Sequence, residues 1–304
     1  MTDRNFSYLV VTGRSWQFIN SGSQNNMKQE EEIIYLIKLL VSNDEKTREQ
    51  SYLQLRQSKN KSVSPLLIKS LNDNDPLIRK FSVDLLADRK EYGAVTCIIE
   101  KLKDPDIRVI MSALISLGEL GDIKAIDDIA IMLKDDSPFF YFIRLGAIDA
   151  LAKMGNRKAV KYLIDAIKED DILLMRSMIE ALIQIDPYSA VEPLIEILND
   201  KTSLCRDQAI EFLGLLGDEK ATEHLLNILK EEDMELKICA IQALSKTGKE
   251  ECILPLAEFY KEAEIDLLKK LSHDAIKTIL NKQGTQINKL SKGIVDKLIS
   301  LSKP

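Results

Sequence analysis

IRLGAIDALAKMGNRKAVKYLIDAI, residues 143–167, reads as two short helices joined at a glycine. In the first half Ala147, Ile148 and Leu151 recur at helical spacing, and Gly155 ends the run. A glycine can close a helix in the left-handed conformation because it has no Cβ to clash. In the second half Ala159, Val160, Leu163, Ile164 and Ile167 fall at i, i+1, i+4, i+5 and i+8, which gives a second helix one apolar face. A lone pair of this size leaves both faces uncovered, so the chain must supply neighbours of the same kind.

It supplies them at a fixed interval. The residue closing each second helix recurs as Leu40, Leu71, Leu102, Leu133, Ile167, Leu198, Leu229 and Tyr260, at spacings of 31, 31, 31, 34, 31, 31 and 31. Two more columns keep the same register: Leu55, Leu86, Leu117, Leu151, Leu182, Leu213 and Leu244, and the small residues Ala94, Ala125, Ala159, Ala190 and Ala221. A period of this length marks a stacked array that grows in one direction. Gly121, Gly155, Gly217 and Gly248 share the slot that ends the first helix, whereas Lys90 and Asp186 stand there in two other units, whose turns are expected to differ. Stretches such as NDND, KDPD and NDKT precede the first helices, offering N-caps and negative charge at the positive dipole end.

Composition narrows the function. The 304 residues include 42 Lys and Arg against 48 Asp and Glu, a net charge of −6 and the wrong sign for binding a phosphate backbone, so nucleic acid is not the expected partner. Two His and four Cys leave little material for metal or nucleophile chemistry, and no cofactor or metal site is expected. Cys97, Cys205, Cys239 and Cys252 form no C-x-x-C pair and read as packing thiols in a reduced, cytoplasmic setting. No apolar run approaches the roughly 18 residues a membrane span requires, and the first residues lack a signal-peptide core.

The segments IRLGAIDALAKMGNRKAVKYL and CRDQAIEFLGLLGDEKATEHL resemble the short HEAT-like repeats also found in phycobilin lyases. The resemblance covers about Ile33 to Gln283, some eight units. It implies an all-α fold, a right-handed α-solenoid whose second helices line the inner face. Two enzymes built on related repeats find no counterpart in these residues. Neither His224 nor His273 is followed by Glu, unlike the iron-holding His-Glu pairs of deoxyhypusine hydroxylase. The sole Trp, Trp16, lies before the repeats, unlike the groove Trp of HEAT-like alkylpurine DNA glycosylases.

The expected organisation is a flexible tail over residues 1–26, the solenoid over 27–286 and a capping helix over 287–304. The last of these has Ile287, Leu290, Ile294, Leu298 and Leu301 at helical spacing. One unit is three residues longer than the others and holds Phe139, Phe140, Tyr141 and Phe142 in a row. These rings either fill the wider gap or leave one or two exposed as an anchor for a partner.

Three further columns carry charge. Arg48, Arg79, Arg144 and Arg206, continued by Lys237 and interrupted at Ile110 and Met175, keep the repeat register on the first helices and read as a structural ladder to the Asp-rich turns or terminal carbonyls of neighbouring units. On the second helices one exposed column holds Asp127, Lys161, Glu192 and Glu223, and the next holds Glu100, Ile131, Asp165, Glu196, Asn227 and Glu258. Lysines at the helix ends, such as Lys103, Lys134 and Lys230, complement the dipole and account for part of this pattern. The surplus of mid-helix acids points to a negative stripe suited to a basic protein or peptide. The expected function is therefore a non-enzymatic protein- or peptide-binding scaffold. The family resemblance adds one alternative, a bilin lyase-like enzyme or chaperone that holds a tetrapyrrole for attachment to a protein.

Overall fold

The computed structural model of the protein describes residues 22–134, 139–167, 172–247 and 249–282, leaving out the side chains of residues 22–26, Phe140, Ile172 and Leu173. In chain order the helices are α1 (Gly22–Leu39), α2 (Glu45–Gln57), α3 (Val63–Ser70), α4 (Pro76–Asp88), α5 (Val95–Ile99), α6 (Ile107–Leu120), α7 (Ile126–Ile131) and α8 (Phe140–Met154). They continue as α9 (Val160–Ile167), α10 (Ile172–Ile185), α11 (Val191–Asn199), α12 (Arg206–Leu216), α13 (Glu219–Ile228), α14 (Met234–Thr247), α15 (Ile253–Glu262) and α16 (Asp266–Lys282). No strand occurs among the described residues. The even-numbered helices are the first helices of the repeats and the odd-numbered ones the second, so the chain is an all-α solenoid. The start of α1 at Gly22 lies within the stretch read from sequence as tail. Residues 1–21 and the capping segment 287–304 lie outside the described residues.

Local chemistry sets each boundary. Asp44, Asp75 and Asp106 cap α2, α4 and α6 by accepting from the backbone N–H of Thr47, Leu77 and Arg108 at 2.8–2.9 Å. Asp122, Asn156 and Asp218 do the same at the starts of second helices. Gly121, Gly155 and Gly217 close α6, α8 and α12 in the left-handed conformation, with φ of 66°, 59° and 64°. The expectation that the Lys90 turn differs is corrected, for Lys90 takes the same conformation with φ 55°. The stacking geometry imposes the turn even on a residue with a Cβ. Asp186 does depart, being extended at φ −159°.

The apolar columns become one continuous core. Leu55, Leu86, Leu117, Leu151, Leu182, Leu213 and Leu244 are all buried, as are the alanines from Ala94 to Ala221. Neighbouring first helices stack through small residues placed one position either side of this leucine column. A Cβ built on Gly118 would lie 2.9 Å from the Ala150 backbone, and one on Gly214 would lie 2.6 Å from Ala243. Ala152 and Ala181 hold the same two positions in α8 and α10. Between α10 and α12 these positions carry Ile183 and Phe212, and the two helices approach less closely than α8 and α10 or α12 and α14. Arg176 bridges this wider joint, donating to Glu211 at 2.8 Å and lying 5.2 Å from the Phe212 ring centre.

Candidate partner-binding face

The first-helix arginines have a structural task. Arg79 donates from Nε and Nη2 to both carboxylate oxygens of Asp104 at 2.8 and 2.7 Å, and from Nη1 to the carbonyls of Asp73 and Asn74. Arg206 repeats this, with Nε on the Leu198 carbonyl at 2.9 Å and Nη2 on the Glu231 carboxylate at 2.8 and 3.0 Å. Arg48 binds the carbonyls of Ser42 and Asn43. Each of these three bases therefore ties down the turn before its own helix, and among the described residues Arg79 and Arg206 also clamp the acid that ends the following second helix. Burial pushes the Asp104 carboxyl up, but Arg79 and the Asp106 N–H outweigh it and hold Asp104 below the usual carboxylate range.

The same register predicts a third clamp between Lys237 and Glu262, 25 residues apart like the other two pairs. It is not made. The shorter, non-planar lysine head lies 5.9 Å from the Phe259 ring centre, and Glu262 has no ion-pair partner among the described residues. An open cleft of about 890 Å³ occupies this place. Leu226, Pro255, Phe259 and Leu268 contribute to its apolar lining, and Glu223, Glu258, Glu262 and Glu264 are its acids, against Lys230 and Lys237 as the bases among the described residues. The Lys230 ammonium is turned onto the Asn227 side-chain carbonyl at 3.0 Å.

Of the residues expected from sequence to bind a partner, the structure brings Glu223, Asn227 and Glu258 together in this cleft. Glu100, Asp127, Lys161, Asp165, Glu192 and Glu196 are exposed but lie one or two to a unit along the second-helix face. Two of those acids are committed to neighbouring units. Asp127 accepts from Lys158 at 2.6 Å and the Tyr162 hydroxyl at 2.7 Å, and Glu192 from Lys220 at 2.6 Å. Lys158 and Tyr162 hold Asp127 below its ordinary pKa. In the unit after Glu223 the place of Lys158 and Lys220 is taken by Glu251, so Glu223 lacks this cross-unit partner.

The aromatic run divides between the two readings offered for it. Tyr141 is half-buried against the core and meets Phe142 edge-on, with ring centres 5.6 Å apart. Phe139 and Phe142 are exposed, at 51% and 58%. The Phe140 side chain lies outside the described residues, and none of the other three rings lines the cleft. Pro255, Phe259, Glu262 and Glu264 were missed from sequence; the signal that could have found them was the lysine that breaks the arginine column at position 237.

The cysteine thiols sit among packed helices. Cys205 and Cys252 are buried and Cys97 and Cys239 half-buried, and burial pushes the Cys239 and Cys252 thiols above their ordinary pKa. Nucleophilic work requires the opposite shift. No group of three or more His, Cys, Asp or Glu among the described residues is arranged to hold a metal ion, and no described helix is long and apolar enough to cross a membrane.

A comparison with curated proteins gives no match. Among solved structures, the complex of CpcE and CpcF of phycocyanin lyase from Nostoc sp. PCC7120 is 20% identical, covering 82% of this chain and 94% of that one, with a TM-score of 0.41. The Escherichia coli protein YibA is 18% identical over 86% and 99% of the two chains, TM-score 0.49. Human deoxyhypusine hydroxylase, in complex with glycerol, is 16% identical over 86% and 100%, TM-score 0.36. The family model for HEAT repeats matches five overlapping stretches, residues 64–141, 98–183, 139–213, 163–245 and 191–277. These matches run through most of the chain in step with its helix pairs, and the chain belongs to the HEAT repeat family.

Proposed function

We propose that the protein is a non-enzymatic scaffold that binds a basic, amphipathic segment of a partner protein, and that the cleft between α13, α15 and α16 is the seat of that segment. The observation that carries this reading is the pairing of four carboxylates with an apolar lining in one cavity. Buried apolar side chains supply affinity, while the acids steer a cationic segment and reject an anionic one. The remaining acids of the second-helix face extend the same negative sign towards the N-terminal units, and part of it is already neutralised by cross-unit lysines.

The test is a titration of a fluorescent Lys/Leu amphipathic peptide with the full chain, read by anisotropy. Saturable binding is expected, with loss of about tenfold or more in affinity for the double variant Glu223→Lys, Glu264→Lys, a size typical of charge reversal in a complementary interface. A control at Glu100→Lys, far from the cleft, should leave affinity unchanged. Equal binding by the double variant and the native chain would sink the proposal.

A further inference from the structure

A segment with the chemistry this cleft selects lies on the same chain. Residues 287–303 carry Lys289, Lys292, Lys297 and Lys303 against one acid, Asp296, with Ile287, Leu290, Ile294, Leu298 and Leu301 at helical spacing. Their sign is opposite to that of Glu223, Glu258, Glu262 and Glu264, and their apolar spacing suits the lining of Leu226, Pro255 and Phe259.

The segment can also reach. The Lys282 ammonium donates to the carbonyls of Ser245 and Lys246 at 3.2 and 2.9 Å, which ties the end of α16 to the end of α14. The cleft lies at the other end of α16, where its lining includes Ile265 and Leu268. From Leu268 to Lys282 the helix rises about 21 Å, and a helix over residues 287–301 spans about 22 Å. The four residues 283–286 between them match the usual length of a connection between antiparallel helices. The final turns of the returning helix would then bring Ile294, Leu298 and Leu301 to the apolar lining and Lys297 and Lys303 to the carboxylates.

We infer that residues 287–303 of this chain are themselves an occupant of the cleft, folding back as a helix that a partner's basic segment must displace. The inference rests on the reading of the cleft proposed above. A tethered segment this close acts at an effective concentration of order millimolar, so even a weak contact would keep the site largely filled.

Two measurements on the full chain test it. Zero-length carbodiimide crosslinking of mixed light and heavy isotope-labelled protein should join Lys297 or Lys303 to Glu262 or Glu264 within single copies. Links that form only between copies, or only to acids outside the cleft, would overturn the inference. In the second measurement a synthetic peptide of residues 286–304 is titrated into the native chain and into the variant Lys292→Glu, Lys297→Glu, Lys303→Glu. The variant, its own segment released, should bind the peptide about tenfold or more tightly than the native chain. Equal affinity refutes self-occupancy and leaves the cleft reading standing, whereas no binding to either chain refutes both.

Discussion

The Arg79–Asp104 pair shows what a single column residue contributes. Both side chains are nearly buried, at 11% and 4% exposure, and the guanidinium also closes the turn at Asp73 and Asn74. Asp104→Ala strands a buried cation and should cost about 3 kcal/mol in chemical denaturation, the lower end for breaking a buried pair. Its pH signature follows from direction. The Asp104 carboxyl lies below its ordinary pKa when folded, so its contribution is complete above about pH 4 and is lost as pH falls below that. Asp106, lowered to about 2 chiefly by its hydrogen bond from Arg108, adds to the same acid-side loss. Native protein should therefore lose stability below pH 4, and the Asp104→Ala variant should lose less over that range; parallel decline of the two would contradict this role. The ladder of bases was legible in sequence, because the column repeats. Their aim at the acid-rich turn of the neighbouring unit was legible too, but not which acid is clamped, since Asp104 and Glu231 stand among other turn acids.

Burial gives the rings of the aromatic insertion different expected costs at the same scale. Tyr141→Ala should destabilise by about 2 kcal/mol, since its ring packs against the core, while Phe142→Ala should change stability by less than about 0.5 kcal/mol. Thermal melts of the two variants separate these outcomes. Sequence could not divide four adjacent rings between core and solvent, because the three-residue insertion interrupts the periodicity that assigns faces elsewhere.

At the scale of elements, helix pairs and their boundaries followed from spacing, caps and glycines. What escaped was how closely first helices stack. That distance depends on residues beside the leucine column, read in pairs across two units, such as Gly118 with Ala150 and Gly214 with Ala243. Gly214→Val should cost about 3 kcal/mol, the upper range for overpacking, because a Cβ there would overlap the Ala243 backbone. A loss under about 1 kcal/mol by urea denaturation would show that α12 and α14 can slide apart at little cost. The α10/α12 joint already holds such a large pair in Ile183 and Phe212, and the buried Gln208 Oε1 on α12 has no hydrogen-bond partner among the described residues. Among the described residues, neighbouring first helices approach less closely at this joint than at α8/α10 or α12/α14.

For the whole molecule, periodicity specifies a solenoid because each unit buries its apolar faces only against the next. The functional face is harder to read from the same regularity. Acids recur along the second helices, yet Asp127 and Glu192 are neutralised across units by Lys158 and Lys220, a pairing visible only once the helices are stacked. The cleft arises where the pattern lapses, at Lys237 in place of arginine and Glu251 in place of lysine. The fold is thus read from what recurs, while the proposed seat lies at one of the places where the pattern fails to recur. The most direct test of that claim is a Lys/Leu amphipathic peptide bearing a photoreactive benzoylphenylalanine, irradiated with the full chain and mapped by mass spectrometry. Adducts are expected within residues 223–230 and 255–268; adducts confined to the first helices or to Phe139 and Phe142 would rule out the cleft as the peptide's seat.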